Sequence, residues 1–475
     1  MAASPAQDPT EYQPPPNGFR TFVIVWATQS VSVFGSALTF FAINIWLTQT
    51  LYPLPEQKPQ LALALSAVSL AFGLPTVFLA PLAGAWADRH DRKYTMITMD
   101  VFSGLLSLTL MSLMLRGMLQ LWALIALVGL FATAGAFHSS AFDTSYAMIV
   151  PEAQLPRANG MMQTIWSLSG ILSPMIAASI ISLPGLARQG VIPGGLGASL
   201  GRISDGSPLA IAVDAVTFFF AGIIPVFLFI PSPKQTDLDE TGGVLKKSLW
   251  SDVKTGALYI WHRSPLLWLL VTFTVANFAA GPLGVFQPLL VKFNLAEDWA
   301  ARGFTFETAL ALLATLGGVG GVVGGVFVSA WGGLKRKRVY GILVTLIISG
   351  LSLTILGLSP WLYLTAAMAM VGSGMIPIMN SHSQTIWQIQ TPRELQGRVF
   401  AVRRLIAQVT WPLSTALAGW AGGLFDPGMV VAVLGAILAV FCIAQLFNPY
   451  LLRVDDKAWL DKMAEAKLAN RPSGK

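Results

Sequence analysis

Apolar residues run along this chain in stretches too long for a buried strand and too unbroken for the surface helix of a water-soluble domain. Runs of roughly 18 residues or more fall at 21–48, 61–87, 93–115, 119–142, 158–183 and 207–231. A second series falls at 265–290, 306–331, 338–357, 361–386, 399–424 and 429–450. A helix needs about 20 apolar residues to cross a hydrocarbon core about 30 Å thick, whereas a barrel strand needs only about 10, alternating. The pattern therefore predicts an all-α membrane protein with twelve transmembrane helices, six in residues 20–231 and six in 265–450.

What separates the runs is polar. Residues 1–19 form a Pro-rich tail with no cleavage site behind a short apolar core, so the first run is read as a retained span. The two series are joined by a linker, 232–264, which begins SPKQTDLDETGG. Its second part is amphipathic: helical spacing puts Trp250, Val253, Ala257 and Trp261 on one face, predicting a short helix lying on the membrane surface. The Gly-rich segment 184–206 lacks periodicity and reads as an irregular loop, and the charged tail 451–475 as partly helical.

Charge sets the orientation. Only 11% of residues are charged, against roughly 25% in a soluble protein. With the N-terminus inside, 24 of the 30 Lys and Arg residues fall on the inner side and six outside. That bias places both termini in the cytoplasm. It also disposes of nucleic acid as a partner: the net charge of +7 is spread over short segments flanking spans, where it meets anionic lipid of the bilayer. The single cysteine, Cys442, excludes an internal disulfide, and the four histidines are scattered, so no metal site or other cofactor is expected. Neither a nucleophile elbow, a zinc-binding HExxH nor a phosphate loop is present, which argues against an enzyme.

One loop is specific. Between the second and third runs stands Gly84-Ala-Trp-Ala-Asp88-Arg89-His-Asp91-Arg92-Lys93. Gly84 would let another helix approach closely, Asp88 at a membrane edge calls for a cation or a helix N-terminus, and the basic residues hold the loop inside. The second series repeats the pattern in the same place: Trp331 matches Trp86, Lys337-Arg338 matches Arg92-Lys93, and Gly333 stands where Asp88 stands. A second echo joins Pro151 and Arg157, before the fifth run, to Pro392 and Arg398, before the eleventh. Such correspondence predicts two pseudo-symmetric six-helix bundles.

This loop, at the inner end of the second of twelve spans, resembles the signature of the major facilitator superfamily, with Asp91 replacing the usual middle glycine. The phrases PEAQLPRANG and TPRELQGRVFAV, with Asp214-Ala-Val-Thr-Phe, resemble its macrolide-efflux and enterobactin-exporter branch. The resemblance implies a conformational latch in which Gly84, Asp88, Arg89, Arg92 and Lys93 engage the eleventh helix near Arg398, Arg403 and Arg404. The plainer alternative is that these charges only set topology. Gly170, Ser173 and Pro174 resemble a degraded antiporter motif, and could equally be an ordinary helix kink.

By the same resemblance, spans 1, 4, 7 and 10 line a central cavity. Candidate substrate residues are Gln29, Ser36, Phe131, Asn277, Asn380 and His382, with Trp166 and Trp411 from spans 5 and 11. Asp143, His138 and Asp100 are the candidates for proton coupling, because ionisable groups inside spans carry function by default. Asp143 and His138 are five residues apart, about 140° around a helix, which argues against their direct contact. Asp214 is expected to be structural, paired with polar neighbours. The function implied is export of small amphipathic molecules (drugs, macrolides or siderophores) from a bacterial cytoplasm across its inner membrane. Such a multidrug-type antiporter would be monomeric and proton-driven. An importer, a lipid-type flippase and a non-transporting sensor remain the alternatives.

Overall fold

A computed structural model describes residues 15, 17–151, 154–230 and 249–469, and every regular element among them is helical. In the first half run α1 (Gly18–Ile45), α2 (Lys58–Phe78), α3 (Ala80–Arg89), α4 (Arg92–Leu115), α5 (Leu121–Ile149), α6 (Leu155–Arg188), α7 (Gly194–Gly201) and α8 (Ser207–Ile223). The second half holds α9 (Leu249–His262), α10 (Ser264–Ala280), α11 (Leu283–Leu289), α12 (Ala296–Ala301) and α13 (Phe306–Trp331). It continues with α14 (Arg338–Leu358), α15 (Leu362–Gln390), α16 (Arg393–Leu424), α17 (Pro427–Gln445) and α18 (Lys457–Ala469). Among the described residues, eleven helical stretches are long and apolar enough to cross a membrane. The twelfth crossing is α16, whose first half carries Arg393, Arg398, Arg403 and Arg404 and whose second half is apolar. Large apolar side chains such as Val216, Phe229 and Val440 point outward, as a lipid-facing surface requires.

Several expected runs are broken where the residues demand it. The second is α2 followed by α3, parted at Leu79 between Pro75 and Pro81, each of which removes a backbone donor. The seventh breaks at Gly281-Pro282 between α10 and α11. The segment 184–206, expected to be irregular, instead extends α6 to Arg188 and adds α7; apolar patterning is a poor guide where Gly dilutes it. The linker helix exists as α9, but residues 231–248 lie outside the described residues, as do the side chains of Trp250 and Val253. Ala257 and Trp261 are exposed, and the face opposite them is the buried one: Gly256 meets the backbone of Arg398, and Tyr259 donates to the carbonyl of Gln390. α18 is pinned to this corner by Asp461, 3.0 Å from Arg263, whose guanidinium lies over Tyr259.

Because the crossings are even in number, both termini lie at one end of the assembly, here the terminal end; the opposite is the far end. At the far end one apolar core runs continuously through both halves, from Leu38, Leu47, Leu61 and Leu65 to Phe286, Leu289, Leu310 and Leu313. At the terminal end it divides. Phe22, Met96 and Phe142 centre one cluster in the first half, and Leu266, Leu343 and Trp387 a separate one in the second. The molecule is therefore shut at the far end and parted at the terminal end.

Glycine sets the tightest crossing. On α13, a Cβ at Gly320 would collide with the carbonyl of Met370, and one at Gly324 with the carbonyl of Gly374, so α13 and α15 touch backbone to backbone. Gly321 faces open space. Gly320→Ala and Gly324→Ala should each cost about 1–3 kcal/mol of overpacking, seen as a lowered thermal unfolding midpoint of the solubilised protein, while Gly321→Ala should leave the midpoint unchanged.

Candidate functional site

The parted end exposes two chemically different walls. In the first half, α4 brings Asp100 about 12 Å in from its terminal end, and α1 and α5 bring Gln29 and His138 about 16 Å in from theirs. Gln29 Nε2 donates to Asp100 Oδ2 at 3.0 Å, and His138 Nε2 lies 3.3 Å from Asp100 Oδ1. The His138 contact is off the line of a straight hydrogen bond, so it is charge against charge when the imidazole is protonated. Asp100 is 3% exposed and His138 17%, so the histidine is the more accessible member of the pair, although its Nε2 is buried. Asp143 is exposed on α5 and is not the partner His138 takes. Spacing along one helix could not reveal Asp100 as that partner, since it comes from another helix.

Nearer the far end a second buried carboxylate has only hydroxyl neighbours. Asp214 accepts from Thr39 at 2.7 Å, Ser107 at 3.1 Å and Ser36 at 3.4 Å, tying α8 to α1 and α4. Ser36 thus serves this knot, as Gln29 serves Asp100. Phe131 lies against Phe218, ring centroids 6.2 Å apart.

The second half holds the cavity. A space of about 310 Å³ opens between α10 and α15, backed by α14. Phe273, Asn277, Gln287, Asn380, Trp387 and Arg403 are among its lining residues. His382 is not: it is buried, its Nε2 accepts from the Leu334 N–H at 2.9 Å, and its Nδ1 consequently carries the proton and donates to the Ile378 carbonyl. It holds the α13–α14 loop, where Gly332 and Gly333 take positive φ, against α15. The structure places His382, expected as a substrate residue, against this loop and outside the lining of this space; alternation of polar residues on one helix cannot say which face meets a neighbouring loop.

Trp411 packs between the two halves. Its ring sits on Gly73 of α2 and against Gly281, where the break between α10 and α11 makes room. The side chain of Trp166 lies outside the described residues. Of the Gly170, Ser173 and Pro174 stretch, the Gly170 end meets the other half: Gly318 of α13 packs on Gly170, and Thr315 donates to the Ile171 carbonyl at 3.0 Å. Ser173 Oγ lies 3.4 Å from the Phe34 carbonyl.

In the signature loop, Asp91 caps α4, Arg92 is buried and donates to the Ala87 carbonyl, and Lys93 donates to the Val226 and Leu228 carbonyls. Gly84 faces open space and Arg89 is exposed; the side chain of Asp88 lies outside the described residues. Arg398 is half-buried, its backbone covered by Gly256.

Residues 25–415 match the family profile described as Major Facilitator Superfamily. The chain belongs to the major facilitator superfamily. It is a multi-pass membrane transporter and not an enzyme. Macrolide efflux protein A of Streptococcus pyogenes is 25% identical over 400 residues, covering 84% of this chain and 88% of that protein. The Enterococcus faecalis protein of the same name is 25% identical over 355 residues, covering 74% and 98%. Among solved structures, a bacterial homologue of the human lysosomal transporter Spinster, inward-facing and unoccupied, shares the fold at a TM-score of 0.60 and 14% identity, covering 98% and 100%. The nucleoside transporter NupG does so at 0.59 and 13%, covering 91% and 99%.

For a major facilitator protein the far-end closure is a gate, and two cations cross it: Lys58 donates to the Phe425 carbonyl at 3.0 Å, and Lys292 reaches the other way. Lys292, at the end of the seventh span, donates to the carbonyls of Thr48 at 2.7 Å and Tyr52 at 2.6 Å, where the last turn of the first span leaves carbonyls without intrahelical donors. Lys292→Met should remove about 1.5–3 kcal/mol per charge-assisted bond from this closed state alone. Spin labels at positions 56 and 297 should then report a longer far-end distance population than in the unsubstituted protein.

Proposed function

We propose that this transporter exports small amphipathic molecules from a bacterial cytoplasm by alternating access, in exchange for protons entering through the Asp100–His138 pair. The observation that carries the reading is that pair: an acid and an imidazole 3.3 Å apart, well inside the spans, with the imidazole the more accessible of the two. The Lys and Arg bias supports assigning the terminal end to the cytoplasm, with the parted cleft facing the compartment from which an exporter loads. The likeness to two macrolide efflux proteins supports the outward direction and a bulky ligand, within the drug, macrolide or siderophore range.

In this reading the protonated His138 and ionised Asp100 form a neutral pair when the cleft opens outward, which makes His138 a proton acceptor there. Opening to the cytoplasm releases the proton from His138, and the substrate enters the vacated cleft. Gln29 holds Asp100 in register throughout, through the 3.0 Å bond to Oδ2. Asp143, on the same helix as His138 and exposed, offers the released proton a route to water.

Right-side-in proteoliposomes with an imposed pH gradient test this with a dye and a macrolide panel. Gradient-driven flux should fall at least roughly tenfold, about 1.4 kcal/mol in driving terms, in Asp100→Asn and in His138→Gln. Substrate-for-substrate exchange without a gradient should persist in both. Gradient-driven flux that is unchanged in both variants would remove the pair from the mechanism. Uptake coupled to proton entry would reverse the direction.

A further inference from the structure

The cavity of the second half contains one charge and nothing to neutralise it. Arg403 reaches it from α16, ten residues or about 15 Å in from the start of that helix. Its Nη1 donates to Gln384 Oε1 at 2.8 Å and its Nη2 lies 3.3 Å from Ser383 Oγ, both neutral acceptors on α15. Its guanidinium carbon stands 5.4 Å from the centre of the Trp387 ring. Among the described residues no carboxylate lies within ion-pairing distance, and the cavity lining includes no acidic residue. Nε and one hydrogen on each Nη are left for a ligand. Arg404, its neighbour, is exposed and outside the lining.

A guanidinium held inside a membrane span is costly unless it serves an anion or lines water. The bonds to Gln384 and Ser383 and the Trp387 ring orient it without cancelling its charge. The planar fork that remains matches the two oxygens of a carboxylate or phosphate. Around it the wall is apolar, with Phe273 and Trp387 for an aromatic or aliphatic body and Asn277 and Asn380 for neutral polar groups. At about 310 Å³ the space suits a small organic molecule.

We infer that this cavity binds amphipathic molecules through a terminal oxyanion, carboxylate or phosphate, held by Arg403, with the apolar body lying between α10 and α15. A ligand whose charge is an ammonium meets a like charge there and is disfavoured. The inference rests on the transporter reading and narrows its substrate class to the anionic members of the drug, macrolide or siderophore range, leaving amine-bearing macrolides disfavoured at this cavity.

Equilibrium binding to the full chain in phosphatidylcholine nanodiscs, with no gradient, separates this from transport. The probes are 2-naphthoate, 2-naphthyl phosphate, the neutral 2-naphthamide and the cationic 2-naphthylmethylamine, titrated by calorimetry. Both anions should bind roughly tenfold or more tightly than the amide, and the amine most weakly. Arg403→Gln should abolish the difference between anion and amide, Arg403→Lys should retain part of it, and Arg404→Gln should retain all of it. Equal affinity for the four probes, or preference for the amine, would overturn the inference; so would an anion preference that survives Arg403→Gln. Should Arg403→Gln not fold, the unsubstituted protein and Arg403→Lys still decide. Displacement of 2-naphthoate by lysophosphatidate would place the oxyanion on a lipid, and resistance to it would place it on a free solute. Loss of anion selectivity with proton-driven efflux intact sinks this inference alone, whereas selective binding without efflux sinks only the export reading.

Discussion

The structure depends on where its apolar core is continuous. At the far end the side chains of both halves share one interior, so the halves there are a single packed body. At the terminal end each half keeps its own interior, and the space between them is free to hold water and solute. Inside a bilayer no hydrophobic force drives helix against helix, so this asymmetry is held by shape and by a few polar bonds. Trp411 seated on Gly73, Thr315 on the Ile171 carbonyl, Lys292 on the end of the first span, Lys58 on the Phe425 carbonyl and Ser66 on that of Thr415 are among those fastenings. Each is a contact between halves, and each must be given up when the gate moves.

The two halves have the same plan and different contents. The first buries its carboxylates: Asp100 with Gln29 and His138, and Asp214 among three hydroxyls. The second carries no such acid in its cavity wall and presents Arg403 instead. The signature loop differs in the same way. In the first half basic residues cap neighbouring carbonyls, as Lys93 does for Val226 and Leu228, while in the second a neutral imidazole, His382, receives the loop backbone directly. A duplicated fold has thus been divided into a wall that buries an acid–imidazole pair and a wall that presents a guanidinium.

Much of this could be read before any coordinates. Run length announced the helices, because in a membrane the apolar stretch and the span are the same thing, and Gly84 to Lys93 announced the family. The seventh span's break and α7 were not legible, since Gly281-Pro282 and the Gly-rich 194–201 blur the apolar pattern without saying where the chain turns. The sites were legible as residue types and not as partners. His138 was singled out, but its neighbour comes from α4, and Gln29 and Ser36 turn out to serve carboxylates within their own half. Arg403 hid in plain view among the basic residues that set orientation; nothing in its spacing distinguishes a cavity wall from a membrane anchor.

The glycines of α13 have a consequence for how such a molecule could move. One flank of this helix, through Gly320 and Gly324, lies bare against the backbone of α15 in its own half; the adjoining flank, through Gly318, lies bare against α6 of the other. Surfaces without interlocking side chains offer little friction, and what keeps either from gliding is whatever polar catch is added. Across the halves that catch is the hydroxyl of Thr315 on a single carbonyl. α13 is in this sense a shaft between two smooth bearings, one pressed tight by backbone contact and the other stopped by a pin light enough to lift on every cycle.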